Sequence, residues 1–324
     1  MTGHIFVTSP ENFELSKQKG VCGEIKHVQG KTNAELLARF ETLQKGDFVF
    51  FYVTRIQGIY GLWKVSNKPF YDSTPIWNSQ EQVYPYRVCI EPYIRDFQKP
   101  VAMSDIYDLM DKGKIWTFEL GKFGKSKNHH TITTEESKEI IRLLLRNNTV
   151  FKPVKAISDP YPYRNNPLPL KLEINDKGFL NYEGYLTAWF MRMFSTGALK
   201  EVFGEYSDCL CNVPTSFNKE MDIFLTHKTE VDGLDILHKY TVMELKRDIA
   251  IEDDLAQLIR YENWLIRKMA DGDNEMVQSV IVGFDFSDEV ISYVNKRKFL
   301  EQKTVRLFKY LVNKKINDIE IKEV

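Results

Sequence analysis

Tyr240-Thr-Val-Met-Glu-Leu-Lys246, continued by Arg247-Asp248 and then by Gln257-Leu-Ile-Arg-Tyr261, decides how the second half of this chain folds. The apolar residues around Val242 mark a buried strand, and period-two alternation puts Glu244 and Lys246 on one face of it. Upstream, Met221-Asp-Ile-Phe-Leu225 is a second apolar strand with one acid in it, Asp222, and Val231-Asp-Gly233 supplies a turn between the two. Pairing of these strands brings Asp222 beside Glu244. Two carboxylates that close and that buried are costly unless a cation sits between them. On the helix that follows, Gln257 and Tyr261 are an i, i+4 pair and share a face.

Working outward, the pattern predicts a helix over 182–202, strands near 209–214, 220–226 and 238–246, a helix over 252–270, a strand over 277–286, a helix over 287–300 and a strand over 303–312. Strands that alternate with helices imply βαβ crossovers and a partly parallel central sheet. Two acids on neighbouring strands with a lysine nearby are the minimum that phosphodiester hydrolysis with a hard divalent cation needs. The acids hold magnesium or manganese, and the lysine orients or deprotonates water. Glu-x-Lys alone is weak, since Glu24-Ile-Lys26 and Glu320-Ile-Lys322 repeat it, and neither of those is assigned a role. Glu183, at the start of the first helix of this half, is either a further carboxylate of the site or an acid favoured by the helix dipole.

The segment from Val242 to Tyr261 resembles the active-site region of the archaeal NucS-type endonucleases of the PD-(D/E)xK superfamily, and the likeness runs over residues 176 to 312. It implies Asp222 and Glu244 as metal ligands, Lys246 as the water-orienting lysine, Gln257 and Tyr261 as supporting residues, and Glu183 as the helical acid of that fold.

Between Asn147 and Leu170 lie five prolines, at 153, 160, 162, 167 and 169, with Asn165-Asn166 among them. Proline removes a backbone donor and fixes φ, so this stretch is expected to be an extended connector over 149–175, with domains over 1–148 and 176–324. Before it, Asp47-Phe-Val-Phe-Phe-Tyr-Val53, Gly58-Ile-Tyr-Gly-Leu-Trp-Lys-Val65 and Tyr84-Pro-Tyr-Arg-Val-Cys-Ile90 are strands. Leu36, Leu37, Phe40 and Leu43 recur at helical spacing, and a second helix runs from Thr134 to Leu145, started by Thr134-x-x-Ser137 with Glu135-Glu136. The sum is a small mixed β-barrel carrying helices.

Five blocks of this half, Ser9-Pro-Glu-Asn12, Gly20-Val-Cys-Gly23, Gly46-Asp-Phe-Val-Phe-Phe-Tyr52, Gly58-Ile-Tyr-Gly61 and Tyr84-Pro-Tyr-Arg-Val88, resemble the EVE domain of the PUA-like group and, more distantly, the YTH readers of methylated adenine. The resemblance implies a barrel whose mouth holds one extruded, modified base, with aromatic faces to stack on it and polar groups to read its edge. It points to Trp77 as a cage wall and Asn12 as the edge-reading amide, with Trp63 and Tyr52 as further wall residues. The pattern departs at Cys22, where the relatives usually carry tryptophan, so one wall is missing or comes from elsewhere.

The 324 residues suffice for two cores, and 43% hydrophobic with 27% charged residues is a soluble globular composition. No apolar run spans a bilayer and no secretory leader is apparent, so a cytoplasmic location is expected. Cys22, Cys89, Cys209 and Cys211 are too scattered for a disulfide framework, and Cys209-x-Cys211 has no partner pair for zinc. A net charge of −1, from 44 basic and 45 acidic residues, excludes an all-over basic binder but leaves local phosphate-binding patches. Two exist, over 121–130 (Gly121-Lys-Phe-Gly-Lys-Ser-Lys-Asn-His-His130) and over Lys296-Arg-Lys298 with Lys303, Arg306 and Lys309.

The expectation is therefore an α+β and α/β chain of two domains, a PUA-like barrel followed by a restriction-endonuclease-like mixed sheet flanked by helices. Its expected activity is modification-dependent cleavage of double-stranded DNA, with the first domain flipping a modified base and the second cutting with Mg2+ or Mn2+. Cutting both strands takes two active sites, so a homodimer is expected. The alternatives are a NucS-like repair endonuclease acting on mismatched, branched or flapped DNA, and a modified nucleic-acid binding protein.

Overall fold

The computed structural model describes residues 1–77, 83–120 and 127–324. The chain forms two units, the first from Met1–Val28 with Arg39–Pro169 and the second from Gln29–Ala38 with Leu170–Val324.

Unit 1 runs β1 (Gly3–Thr8), α1 (Pro10–Lys19) and β2 (Val21–Glu24) before the helix α2 (Gly30–Glu41), most of which belongs to unit 2. It resumes with β3 (Phe48–Val53), β4 (Gly58–Val65), β5 (Phe70–Tyr71), β6 (Tyr86–Pro92), β7 (Val101–Ala102), α3 (Met103–Asp111), β8 (His129–Ile132) and α4 (Thr134–Asn147). The sheet order is β2-β6-β4-β3-β1-β8, with β5 on β6 and β7 on β4. Among the described residues its two end strands do not pair, and the sheet is an open, curled half-barrel. β1 and β3 run parallel at its centre, Gly3 opposite Phe48. Their core face meets Ile106 of α3 and Ile140 and Leu144 of α4 in one cluster with Ile5, Phe50 and Ile59.

Local chemistry sets the helix ends. Ser9 accepts the Asn12 N–H to start α1, and Gly20, at φ 63°, closes it in a left-handed conformation that favours glycine. For α4 the cap is Thr133 rather than Thr134, because Thr133 and Glu136 form a reciprocal capping box. Glu136 is 1% exposed yet fully used, accepting from the backbone of Trp116 (2.7 Å), Thr117 (2.8 Å) and Thr133 (2.8 Å) and from both threonine hydroxyls.

The proline-rich stretch through Pro169 is packed on unit 1. Proline keeps it out of any ladder, so it lies as a strap held by isolated bonds: Asp159 N–H to the Gln18 carbonyl (3.0 Å), Tyr161 N–H to that of Lys19 (2.8 Å), and Tyr71 N–H to that of Asn166 (2.9 Å). Tyr161 enters the interior, where its hydroxyl donates to Asp72 and accepts from Arg87 Nη1 (2.9 Å). Burial alone would raise the Asp72 carboxyl, but hydrogen bonds from Tyr161 and Thr74 and the charge of Arg87 outweigh it and hold the group at about 2.

Unit 2 contains α5 (Glu183–Thr196), α6 (Lys200–Phe203), β9 (Asp208–Pro214), β10 (Glu220–Val231), β11 (Leu234–Leu245), β12 (Ile249–Ala250), α7 (Glu252–Met269), β13 (Val277–Gly283), β14 (Asp285–Phe286), α8 (Asp288–Glu301), β15 (Val305–Asn313) and β16 (Asp318–Glu323). The helix expected over 182–202 is two, since Gly197 turns left-handed at φ 75° and ends α5. The sheet order is β16-β15-β13-β11-β10-β9, antiparallel at both ends and parallel from β11 through β13 to β15. Helices α7 and α8 make the crossovers that parallel pairing requires. The β10–β11 hairpin closes on Asp232 and Gly233, both at positive φ (51° and 80°), the signature of a two-residue type I′ turn. The edge strand β16, which contains Glu320-Ile-Lys322, was not among the expected strands. Cys209 and Cys211 are buried in β9 and are not joined in a disulfide. Among the described residues no helix is long and apolar enough to cross a membrane.

Four of the six cations of the second basic patch are paired with acids, while Lys296 and Lys298 are exposed. Arg297 and Lys303 both bind Glu262, which is 0% exposed, Arg306 makes a two-pronged pair with Glu323 (2.7 Å and 2.7 Å), and Lys309 pairs with Asp285 (2.7 Å). Of the first patch, residues 121–126 lie outside the described residues, and His129 and His130 are buried.

Two outcomes are expected. Glu136→Ala removes the carboxylate that three backbone N–H groups, of Trp116, Thr117 and Thr133, donate to, and lowers the stability of unit 1 by about 3 kcal/mol, read from urea unfolding followed by tryptophan fluorescence. Asp72 is depressed in the folded state, so its contribution is present above the unfolded carboxylate range and is lost as pH falls through about 2. Asp72→Asn therefore flattens the fall in melting temperature between about pH 4 and pH 2 that the unsubstituted protein shows.

Candidate functional site

Unit 2 gathers one group of buried charges at the end of β11. Ile223 lies opposite Met243, a register that sets Asp222 against Glu244 across the β10–β11 pair. Asp222 Oδ2 accepts the Leu245 N–H at 2.7 Å. Glu244, 1% exposed, accepts through Oε1 from Lys246 Nζ (2.7 Å) and from Gln257 Nε2 (2.8 Å). Its other oxygen, Oε2, is buried with no hydrogen-bond partner among the described residues. Orphaned buried oxygens on an acid are rare and need an explanation; among the described residues Glu24 carries the other.

α7 supplies the back of the site. Gln257 points at Glu244, and one turn later Tyr261, fully buried, donates to the Glu220 carbonyl at 2.7 Å and so ties the helix to the start of β10. Glu183, the first residue of α5, brings Oε2 to 3.9 Å from Lys246 Nζ. The structure thus gathers all six residues singled out in this half. It adds one that was not: Asp254, whose Oδ1 is 3.7 Å from Lys246 Nζ while Oδ2 accepts the Ile251 N–H at 3.0 Å. Its only sequence signal was an acid in the first turn of a helix, which the helix dipole already explains.

Burial raises the carboxyls of Asp222, Glu183 and Glu244, and for Asp222 the charge of Glu244 raises it further. For Lys246 burial pulls down, but Glu244, Asp222 and Glu183 outweigh it and hold the ammonium above its ordinary range. Around this single lysine stand four acids, an excess of negative charge suited to a hard cation. Asp222 and Glu244 offer oxygen donors of the kind magnesium or manganese takes. Among the described residues no group of three His, Cys, Asp or Glu side chains could hold a metal ion.

Unit 1 carries a separate cavity of about 330 Å³, lined by Asn12, Cys22, Phe51, Trp77, Tyr84 and Asn128 among others. α1 delivers Asn12 one turn after its Ser9 cap, and β2 delivers Cys22, whose thiol burial pushes well up. Trp77, 7% exposed, donates from Nε1 to Ser16 Oγ (3.4 Å) and meets Tyr84 at 5.2 Å and 48°. Tyr84 is the aromatic wall that Cys22 does not provide, and its hydroxyl hydrogen-bonds the side chain of Asn12. Behind Trp77 the guanidinium of Arg87 lies 5.4 Å from the indole, fixed by the Tyr84 carbonyl (2.8 Å), the Thr74 carbonyl and Tyr161.

Trp63 and Tyr52 are not walls of this cavity. Alternation along β3 turns Phe51 toward it and Tyr52 the other way, onto the Phe50–Leu144 core. Trp63 meets Phe51 edge-on at 5.1 Å, and Phe51 is the ring that reaches the cavity.

Residues 4–143 match the EVE domain family model. Among solved structures, a Pseudomonas putida protein is 16% identical over 44% of this chain and 99% of its own, with a TM-score of 0.32. Human THYN1, solved in complex with DNA containing 5-methylcytosine, is 16% identical over 44% and 98%, at 0.31. The YTH domain of Zygosaccharomyces rouxii MRB1, solved in complex with N6-methyladenosine RNA, is 16% identical over 44% and 83%, at 0.28. No curated protein matches the chain. The family match ends at residue 143, so the nuclease likeness of the second unit rests on its sequence pattern alone. Residues 4–143 of this chain are an EVE domain.

Proposed function

We propose that this protein is a metal-dependent endodeoxyribonuclease directed by a modified base, which unit 1 holds while unit 2 hydrolyses the phosphodiester backbone. The observation that carries the hydrolytic half is Glu244 Oε2, buried without a partner beside Asp222 and Lys246. The reading half is supported by the EVE domain and by a cavity that pairs stacking rings, Trp77 and Tyr84, with an amide, Asn12.

Asp222 and Glu244 are the residues that would hold magnesium or manganese, which when bound polarises a phosphate and lowers the pKa of water. The protein's own groups do the rest. Gln257 keeps Glu244 in one rotamer by donating to Oε1, leaving Oε2 directed away from it. Lys246, kept protonated by its acids, supplies a positive donor for a water or a phosphate oxygen. Asp254 and Glu183 hold that ammonium in place from α7 and α5. In unit 1, Asn12 offers both a donor and an acceptor to a base edge, and the neutral thiol of Cys22 leaves that wall small. Double-strand cleavage calls for two copies, so the active species is a homodimer on double-stranded DNA.

Matched plasmids, unmodified or carrying methylated cytosine, hydroxymethylated cytosine or methylated adenine, test both halves. We expect magnesium-dependent cleavage of one modified plasmid, lost in Glu244→Ala and lost with retained metal binding in Trp77→Ala. Equal cleavage of every plasmid removes the reader. Cleavage of branched or mismatched DNA alone selects a repair nuclease, and tight binding with no cleavage under any metal selects a modified nucleic-acid binder.

Stability gives an independent check. The folded state raises the Asp222 carboxyl, so stability falls as pH rises above the unfolded carboxylate range, and the penalty is complete above the raised folded value. Asp222→Asn is therefore expected to raise the melting temperature at neutral pH without metal by a few degrees, on the order of 1 kcal/mol. It is also expected to abolish the stabilisation that added magnesium gives the unsubstituted protein.

A further inference from the structure

Unit 1 has a second cavity, of about 550 Å³, to which the reading above assigns nothing. α1 separates the two: it turns Asn12 and Ser16 to the first cavity and Phe13, Glu14 and Lys17 to the second. The second is walled by rings. Phe13 lies 4.9 Å from Tyr60 and edge-on to Trp63 at 5.9 Å, and Tyr60 and Trp63 are both half-buried. A volume of this size falls within the ligand-pocket range of roughly 300–1,000 Å³.

The charges lining it pair off with one exception. Glu14 holds Lys17 at 2.8 Å, and Asp96 holds Lys155 at 3.5 Å. Arg95 is left over. Its Nε is buried with no acceptor among the described residues, and its guanidinium lies 5.8 Å from the Phe97 ring and 5.4 Å from the Phe151 ring. Ring faces stabilise the charge of an arginine but take none of its hydrogen bonds in the plane, so the fork is left to an anion. Flat, half-covered aromatic walls beside an uncompensated planar cation suit a ligand with a planar ring and a phosphate.

We infer that this second cavity is a nucleotide site, with the base against Trp63 and Tyr60 and the phosphate on Arg95. The same chemistry is offered by a free mononucleotide and by a nucleotide within a single strand. The inference does not rest on the base reader: the two cavities share a wall but no titratable side chain.

Calorimetry on the full chain tests it with adenosine monophosphate, adenosine and an unmodified DNA tetranucleotide. Adenosine monophosphate is expected to bind at least about tenfold more tightly than adenosine, as a charge-assisted pair with Arg95 implies. Arg95→Gln should bring the monophosphate down to the level of adenosine and leave adenosine unchanged. Arg95→Lys should restore part of the difference, and covers the case in which Arg95→Gln does not fold. Trp63→Leu should weaken both ligands. Equal binding of the two ligands, no binding of either, or indifference to Arg95→Gln overturns the site. Loss of monophosphate binding in Trp77→Ala moves the ligand to the first cavity and also overturns it. In that same variant, a tighter monophosphate identifies a free nucleotide as the source and a tighter tetranucleotide identifies a strand. Base reading fails or stands separately, on the modified plasmids.

Discussion

Antiparallel pairing of β10 with β11 in one register is the constraint on which unit 2 depends. With Ile223 opposite Met243, the strands put Asp222 against Glu244 and leave the neighbouring side chains on the opposite face, in the core. Both faces of this pair are buried, so a slip by one residue would drive Asp222 and Glu244 into the positions that Ile223, Met243 and Leu245 fill, and that cost protects the register and, through it, the acidic pair. The tight turn at Asp232-Gly233 sets the same register from the far end of the hairpin. The acidic cluster is electrostatically unfavourable by itself, and the apolar packing around it holds it together.

That packing also explains why the lysine is not free. Lys246 leaves β11 where the chain turns toward α7, and acids from three elements converge on its ammonium. Tyr261 and Gln257 lock α7 against β10 and β11, so the carboxylates cannot move apart to relieve their repulsion. Glu262, the next residue along α7, has the opposite character. It is buried among Arg297, Lys303 and Ser279 and joins α7 to α8 and β13. One helix thus carries a satisfied buried acid facing α8 and completes an unsatisfied one facing β11. The contrast separates a structural ion cluster from a candidate reactive one.

In unit 1 the corresponding node is Arg87, entirely buried in β6. It joins the Trp77 wall to the strap through Tyr161 and Asp72, so the cavity depends on residues beyond the matched family segment. Burial makes each of these polar groups costly alone, and together they satisfy one another. The buried line Asp47–His4–His129 is linked by hydrogen bonds deeper in the sheet, where His129 Nδ1 has no partner among the described residues and burial drives His129 well below its ordinary range and keeps it neutral.

Periodicity and turn chemistry were enough to read the strands at 47–53, 58–65 and 209–214, the helices α7 and α8, and the acid–lysine set at 222, 244 and 246, because these depend on local spacing and on one hairpin register. α1, though bounded by the cap at Ser9 and the left-handed Gly20, was not among the expected helices. Other features were decided only by tertiary structure. Tyr84, Arg87 and Tyr161 meet around Trp77 across 84 residues of sequence, and no local pattern encodes that meeting. Whether Trp63 or Phe51 faces the cavity depends on how α1 crosses the sheet, and four cations of the basic run at 296–309 are paired with Glu262, Asp285 and Glu323, acids from elsewhere in the chain. Sequence determines which side chains share a strand face or a helix turn, since backbone geometry repeats every two or 3.6 residues. Which distant charges and rings end up in contact is settled by packing, where each buried polar group must find whatever partner the fold brings within reach.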